Sequence, residues 1–208
     1  PPTQFLGFCH DLPGAQIPQK SPKSGIEFEI LFLILFLLPV NSFSNEKAWD
    51  LLREGNKIVF IRHSLAPGGG DPSNFDLKKC STQRNLSQTG INQSKKIGEL
   101  FKKNKVQIDK VLSSQWCRCK DTAFYAFGKY EDFFALNSTF QAEFSGNASK
   151  QRKALKKYIK NWNGNGKNLI LVTHYVITIE HTDYAPSSGE LVIVDKNYKV
   201  LATIPTLN

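Results

Sequence analysis

The chain has 208 residues, 40 % of them hydrophobic, with 27 Lys and Arg against 18 Asp and Glu and a net charge of +9. That length supports one compact domain with a substantial core. The positive balance favours anionic partners such as phosphate esters or acidic lipid headgroups. No aromatic-interleaved basic repeat or nucleic-acid motif accompanies it, so a nucleic-acid partner is not expected.

Pro1 to Glu29 is rich in Pro and Gly, sets Glu27 and Glu29 beside an apolar run, and contains no Met. It reads as lying upstream of the native start. Ile30 to Val40 (ILFLILFLLPV) is about half as long as the roughly 20 apolar residues a membrane-spanning helix needs. It fits the apolar region of a signal peptide, with Ser42-Phe43-Ser44 as a small-x-small cleavage site cut after Ser44. An uncleaved anchor or a buried helix are the competing readings. Residues 1–44 are thus expected to be an N-terminal extension plus signal peptide and 45–208 the folded domain, exported, in a bacterial periplasm, with no stable membrane span after cleavage. Within 45–208 there are 25 Lys and Arg to 15 Asp and Glu. Much of the excess lies in Lys95-Lys96, Lys102 to Lys105 and Lys153 to Lys160, which read as solvated helix faces.

From Asn45 short β-rich runs alternate with longer periodic stretches, the pattern of an α/β fold. Asn45 to Glu54 reads as a first helix, and Lys57 to Arg62 (KIVFIR) as a buried strand ending at His63. Pro67-Gly68-Gly69-Gly70-Asp71-Pro72 is too rich in Gly and Pro for regular structure; it reads as a rim over a pocket or, less favoured, as an anion-binding nest. Ser87 caps a helix running to Lys103, with Ile91, Ile97, Leu100 and Phe101 as its apolar stripe. A strand Lys110 to Ser113, a helix Arg118 to Phe127 and a short strand Phe133 to Leu136 follow. A helix Ala148 to Trp162 is closed by Gly164-Asn165-Gly166. Asn168 to Thr173 (NLILVT) is another buried strand and ends at His174, and Glu190 to Val194 with Lys199 to Ile204 form a hairpin.

Cys80, Cys117 and Cys119 fall in the domain. Cys-x-Cys with one distant Cys is a poor zinc spacing, and export permits a disulfide. One bridge from Cys80 to Cys117 or Cys119 is expected, leaving one thiol free and tying the loop after the first strand to the segment that carries Arg118.

Reactive groups follow three strand ends: Arg62-His63, Arg118 and His174. Ligands of open α/β sheets bind beyond the carboxyl ends of the strands, so two imidazoles and two guanidiniums are expected at one edge. Guanidinium is a planar permanent cation that matches phosphate oxygens. A neutral imidazole is a nucleophile toward phosphorus, and a second, protonated imidazole stabilises the equatorial oxygens. Helix starts after Ser87 and Ser114 are expected to add backbone N–H donors. Gln83 and Arg84 are placed to reach a second anionic group. Taken singly, each residue also has a structural reading; their coincidence at strand ends favours chemistry.

These residues stand in a longer pattern: Arg62-His63-Ser64 after the first strand, Leu86-Ser87-Gln88-Thr89-Gly90 opening a helix, Ser113-Ser114 followed by Arg118 and then Thr122-Ala123, and Leu171-Val172-Thr173-His174 ending a strand. In that order they resemble the motifs of the histidine phosphatase superfamily, also called phosphoglycerate mutase-like, over Lys57 to Val194. The resemblance implies a three-layer α/β/α fold with a mostly parallel sheet. It further implies a phosphohistidine intermediate on His63, a phosphate pocket of Arg62, Arg118 and His174, a small phosphorylated substrate, and no metal or organic cofactor.

Two positions depart from the family pattern. Ser64 replaces a usual Gly. The general acid, a Glu after the Thr-Ala helix in many members or an Asp after the second His in the acid phosphatases, corresponds here to Asn137-Ser138 and to Tyr175; Glu143, Asp183 and Glu190 are the substitutes in the sequence. The resemblance implies a metal-independent phosphomonoesterase acting on an envelope or periplasmic metabolite. The alternatives are a mutase-type phosphotransferase, a catalytically silent module binding a phosphorylated glycan or lipid, and a basic surface for anionic membranes.

Overall fold

The computed structural model describes residues 40–207, with side chains from residue 45. Its elements are α1 (Val40–Glu54), β1 (Ile58–Arg62), α2 (Gln88–Lys103), β2 (Ile108–Ser113), α3 (Cys117–Phe127), β3 (Glu131–Asp132), the single turn α4 (Ala142–Ser145), α5 (Ala148–Asn161), β4 (Asn168–Thr173), α6 (Tyr175–Thr182), β5 (Leu191–Val194) and β6 (Val200–Ile204). The apolar run expected to be a signal peptide lies outside the described residues except for Val40, where α1 begins. No helix among the described residues is long and apolar enough to cross a membrane.

The six strands form one sheet in the order β3-β2-β4-β1-β5-β6. The first four are parallel, and β5 and β6 run antiparallel as the expected hairpin. β1 and β4 are continuous apolar runs because helices cover both faces of a parallel sheet. Alternate strand residues divide the core in two. Val59, Ile61, Ile170 and Val172 pack with Trp49 and Leu52 of α1, Ile97 and Phe101 of α2 and Ala123 of α3. Ile58, Phe60, Leu169 and Leu171 pack with Leu155 and Ile159 of α5. This is the three-layer architecture expected from the sequence.

Three expectations are corrected. Phe133 to Leu136 is not a strand: Phe134–Leu136 is a 3-10 turn, and the edge strand is the preceding pair Glu131–Asp132. Side chains, not a ladder, take the carbonyls of that turn, Leu136 O by Thr173 Oγ1 at 2.7 Å and Phe134 O by Gln151 Nε2 at 2.9 Å. Trp162 caps α5 in extended backbone instead of continuing the helix. Helix α6 has no counterpart in the sequence reading, because its β-branched run (VITI) is a strand-like composition on which tertiary context imposes a helix.

The start of α2 presses against the chain leaving β1. Ser87 caps α2 by accepting from Gly90 N (3.1 Å) and donates to Leu65 O (3.2 Å). A Cβ on Gly90 would stand 2.1 Å from that same Leu65 oxygen. Gly90→Ala gains about 1 kcal/mol of helix propensity but forces two backbones apart. It is expected to lower stability by about 1–3 kcal/mol net, seen as a lower urea midpoint at unchanged slope; an unchanged or higher midpoint would contradict this packing.

Candidate active site

Arg62 pairs with Thr173 across the parallel β1–β4 ladder, so the next residues, His63 and His174, leave adjacent strands side by side. Their rings lie 5.6 Å apart at 69°, and both are 3 % exposed. β2 lies on the other side of β4 and is followed by Ser114, whose N–H donates to Val172 O at 2.9 Å. The first turn of α3 supplies Arg118. All four residues singled out from the sequence, Arg62, His63, Arg118 and His174, line one cavity of about 450 Å³.

Each imidazole is fixed by a neighbour. His63 Nδ1 is 2.8 Å from Ser64 O, a contact only an N–H can make, so the proton sits on Nδ1 and Nε2 keeps its lone pair. His174 Nε2 is 2.8 Å from Ser114 Oγ, and Arg118 Nη2 approaches its Nδ1 at 3.5 Å. The Ser114 hydroxyl in turn reaches Asn137 Oδ1 at 3.2 Å. Burial first, then the charge of Arg118, holds both imidazoles well below the ordinary 6.5, so both are neutral in the free protein.

Arg118 is not a free fork. Nη1 and Nη2 engage the two Asp71 oxygens at 2.7 and 3.2 Å, with side chains only 4 % and 2 % exposed. Asp71 also accepts from Arg84 N (3.0 Å) and Trp116 Nε1 (2.9 Å). Burial works to raise its carboxyl, but Arg118 and the other donors hold it below 3.8, as a carboxylate. In the sequence Asp71 is only a loop residue; the Gly-Pro punctuation around it signals a turn and hides the charge it aims inward. Gly68, Gly69 and Gly70 are among the residues that line the cavity.

Arg84 lines the cavity and Gln83 does not. Gln83 is 6 % exposed and accepts from Cys117 N at 2.9 Å, closing the start of α3. The expected amide donors at the helix starts are likewise spent within the fold, Gln115 N on Asn137, Trp116 N on Ser114 Oγ and Gly90 N on Ser87. An anion in the cavity would therefore meet guanidiniums rather than these amides. The Nε–H groups of Arg62, Arg84 and Arg118 are buried without a partner, and Arg62 Nη1 donates to Pro186 O at 2.9 Å while its guanidinium lies 5.4 Å from the Tyr175 ring. Three guanidiniums and one carboxylate leave two positive charges at the cavity, the complement of a phosphate dianion.

Other motif positions prove structural. Thr122 Oγ1 accepts from Ser64 N (3.0 Å) and donates to Arg118 O (2.7 Å), locking α3 to the His63 segment. The Ser64 hydroxyl is buried and bonded to Ser94 Oγ at 2.8 Å, so the replacement of Gly faces α2 and leaves the cavity unobstructed. Cys80 pairs with Cys117, deciding between the two expected bridges, and Cys119 is the free, buried thiol, which burial pushes up to about 12. None of the candidate acids lines the cavity: Glu190 is held by Tyr184 Oη and Ser187 N at 2.6 and 2.8 Å, while Glu143 and Asp183 are exposed.

Neither a protein-family model nor a curated protein matches the sequence. Among solved structures the chain is similar to TTHB049 from Thermus thermophilus, with 12 % identity, a TM-score of 0.50, and 71 % of this chain and 98 % of that one covered. It is also similar to the protein histidine phosphatase SixA complexed with tungstate (16 % identity, TM-score 0.47, 71 % and 96 % covered). A third is a mycobacterial glucosyl-3-phosphoglycerate phosphatase (13 % identity, TM-score 0.49, 68 % and 93 % covered). At such identities the likeness is one of fold.

The site's charges make two outcomes measurable. The imidazoles are neutral when folded and titrate near 6.5 when unfolded, so the unfolded chain binds more protons below that pH and stability is lost as pH falls through it. The melting temperature is expected to drop from pH 7 to pH 5, and less steeply in His63→Gln/His174→Gln; parallel curves would contradict the burial of neutral rings. Asp71→Ala strands the Arg118 cation in the interior and is expected to cost about 3–5 kcal/mol in denaturant unfolding, where a loss under about 1 kcal/mol would reduce the pair to a minor contact.

Proposed function

We propose that the chain is a phosphomonoester hydrolase of the histidine phosphatase superfamily, working through phosphohistidine on His63 without a metal. The observation that carries this reading is the tautomer of His63. Its Nδ1 proton is held by Ser64 O, and its Nε2 lone pair belongs to a ring at a cavity with two net positive charges. A bound phosphate dianion would relieve the crowding of Arg62, Arg84 and Arg118. It would also raise the His174 pKa, letting that ring carry a proton as charge develops on the phosphoryl oxygens. In this reading Arg62, Arg84 and the remaining Arg118 donor bind the phosphoryl group, and His174 stabilises it.

The Cys80–Cys117 bridge supports an oxidising compartment, in keeping with the apolar run at Ile30 to Val40. We therefore infer export to a periplasm and an envelope or periplasmic phosphorylated metabolite as substrate. A second reading, a silent module that binds a phosphorylated group, is favoured by one observation: no candidate carboxylic acid faces the cavity free to protonate a leaving oxygen.

The test is hydrolysis of p-nitrophenyl phosphate with chelator present. Turnover is expected, with an acid-labile, base-stable phosphoprotein trapped on rapid quenching, and His63→Ala is expected to lose both, at least about 10³-fold in kcat. Phosphate binding with no turnover and no trapped label would support the silent module instead.

A further inference from the structure

We propose that the cavity is selective for phosphate esters of flat, acidic leaving groups, aryl phosphates ahead of alkyl phosphates, with Phe140 and Tyr175 as the specificity-determining surface at its mouth. The inference rests on the phosphohistidine reading of the same site and adds the class of substrate.

Its first support is the lack of a free carboxylic acid. Among the described residues the only carboxylate lining the cavity is Asp71, and its oxygens are taken by Arg118, Arg84 N and Trp116 Nε1. Asn137, where an acid is expected from the resemblance, spends its carbonyl oxygen on Ser114 and Gln115 N. With no carboxylic acid free, and the His174 proton directed to the phosphoryl oxygens, the leaving oxygen departs as an anion. For a phenol, with pKa roughly 10, that is far easier than for an aliphatic alcohol, a much weaker acid close to water itself.

The second support is the rim. Phe140 is 69 % exposed and Tyr175 40 % exposed, and both line the cavity. Isolated exposed aromatics are ordinary, but two at the mouth of a strongly cationic cavity offer apolar area that a substrate ring can cover. Tyr175 is steadied by the Arg62 guanidinium 5.4 Å from its ring. The charge balance points the same way: two net positive charges are consumed by one phosphate dianion, leaving Arg84 within the phosphoryl site and no spare cation for a second anionic group.

The step balances without a co-reactant. The His63 Nε2 pair forms the N–P bond as the P–O bond breaks and its electrons leave with the phenolate, which takes a proton from solvent. Water then attacks phosphorus, the N–P pair returns to Nε2, and the water proton passes to solvent.

The intact chain is assayed on phenyl phosphate, tyrosine phosphate and p-nitrophenyl phosphate against glycerol 1-phosphate. The expected result is at least about a 100-fold higher kcat/KM for the aryl esters and rates that fall as the leaving phenol becomes more basic. Phe140→Ala and Tyr175→Ala are expected to raise KM for aryl esters about tenfold, Phe140→Ala while leaving glycerol phosphate and inhibition by inorganic phosphate unchanged, and Tyr175→Phe is expected to be silent. Equal turnover of alkyl and aryl esters, an equal effect of Phe140→Ala on both, or loss of activity in Tyr175→Phe, which would make its hydroxyl the acid, would each overturn the proposal. Binding of phenylphosphonate against methylphosphonate reads the rim without turnover. A phenyl preference with no ester hydrolysed would sink the phosphatase reading while leaving the rim's selectivity, whereas turnover without a phenyl preference would sink the rim alone.

Discussion

The register of β1 on β4 is the constraint from which the site follows. Arg62 opposite Thr173 sets His63 beside His174, and because side chains alternate across a strand, a slip of one residue would send one ring to the wrong face of the sheet. The register is held by burial: every residue of β4 and the first four of β1 are inaccessible, with alternate side chains committed to opposite layers of core. The packing of Trp49, Ile97 and Leu155 against this sheet is therefore also what aligns two imidazoles. The His63 amide extends the ladder by one bond, to Thr173 O at 2.9 Å, so His63 is still part of the sheet's hydrogen bonding as the chain turns into the cavity.

The second constraint is charge. Three guanidiniums crowd a poorly solvated space, where desolvation and then mutual repulsion act against Arg84. Asp71 offsets one of them and leaves the other two to an anion. A neutral pair of imidazoles fits this arrangement, because an imidazolium in the free protein would add to the repulsion. A dianion entering such a site would raise the pKa of both imidazoles, so a ligand's own charge would set their protonation state.

Much of this is legible in the sequence, because strand ends are marked by where apolar runs stop. His63, Arg62, Arg118 and His174 all follow such runs, and the structure brings all four to one cavity. What stays hidden depends on contacts distant in sequence. Asp71 sits in a Gly-Pro loop, 47 residues from its partner Arg118, and nothing local distinguishes it from a surface turn residue. Gln83 and Arg84 are neighbours with opposite fates, one capping α3 and the other in the cavity, a difference set by how the segment docks. Helix α6 and the turn at Phe134–Leu136 escape the sequence for one reason: short runs of β-branched or aromatic residues fit a buried strand as well as a buried helix or turn. The choice of Cys117 over Cys119 is open in the sequence because the two differ only in which side of α3 they occupy.

The bond between Cys80 and Cys117 joins positions 37 residues apart, and the segment it closes holds Arg84 and the whole of α2. It meets α3 one residue before Arg118. Two of the three cationic side chains of the cavity are thus stitched to one another through covalent backbone and sulfur, whereas Arg62 belongs to the sheet. Molecules in which this stitch is closed and molecules in which it is open would share a sequence and a core yet differ in how firmly one wall of the anion pocket is set. The redox state of one bond would then reach the arrangement of the cavity's cations from outside the cavity lining.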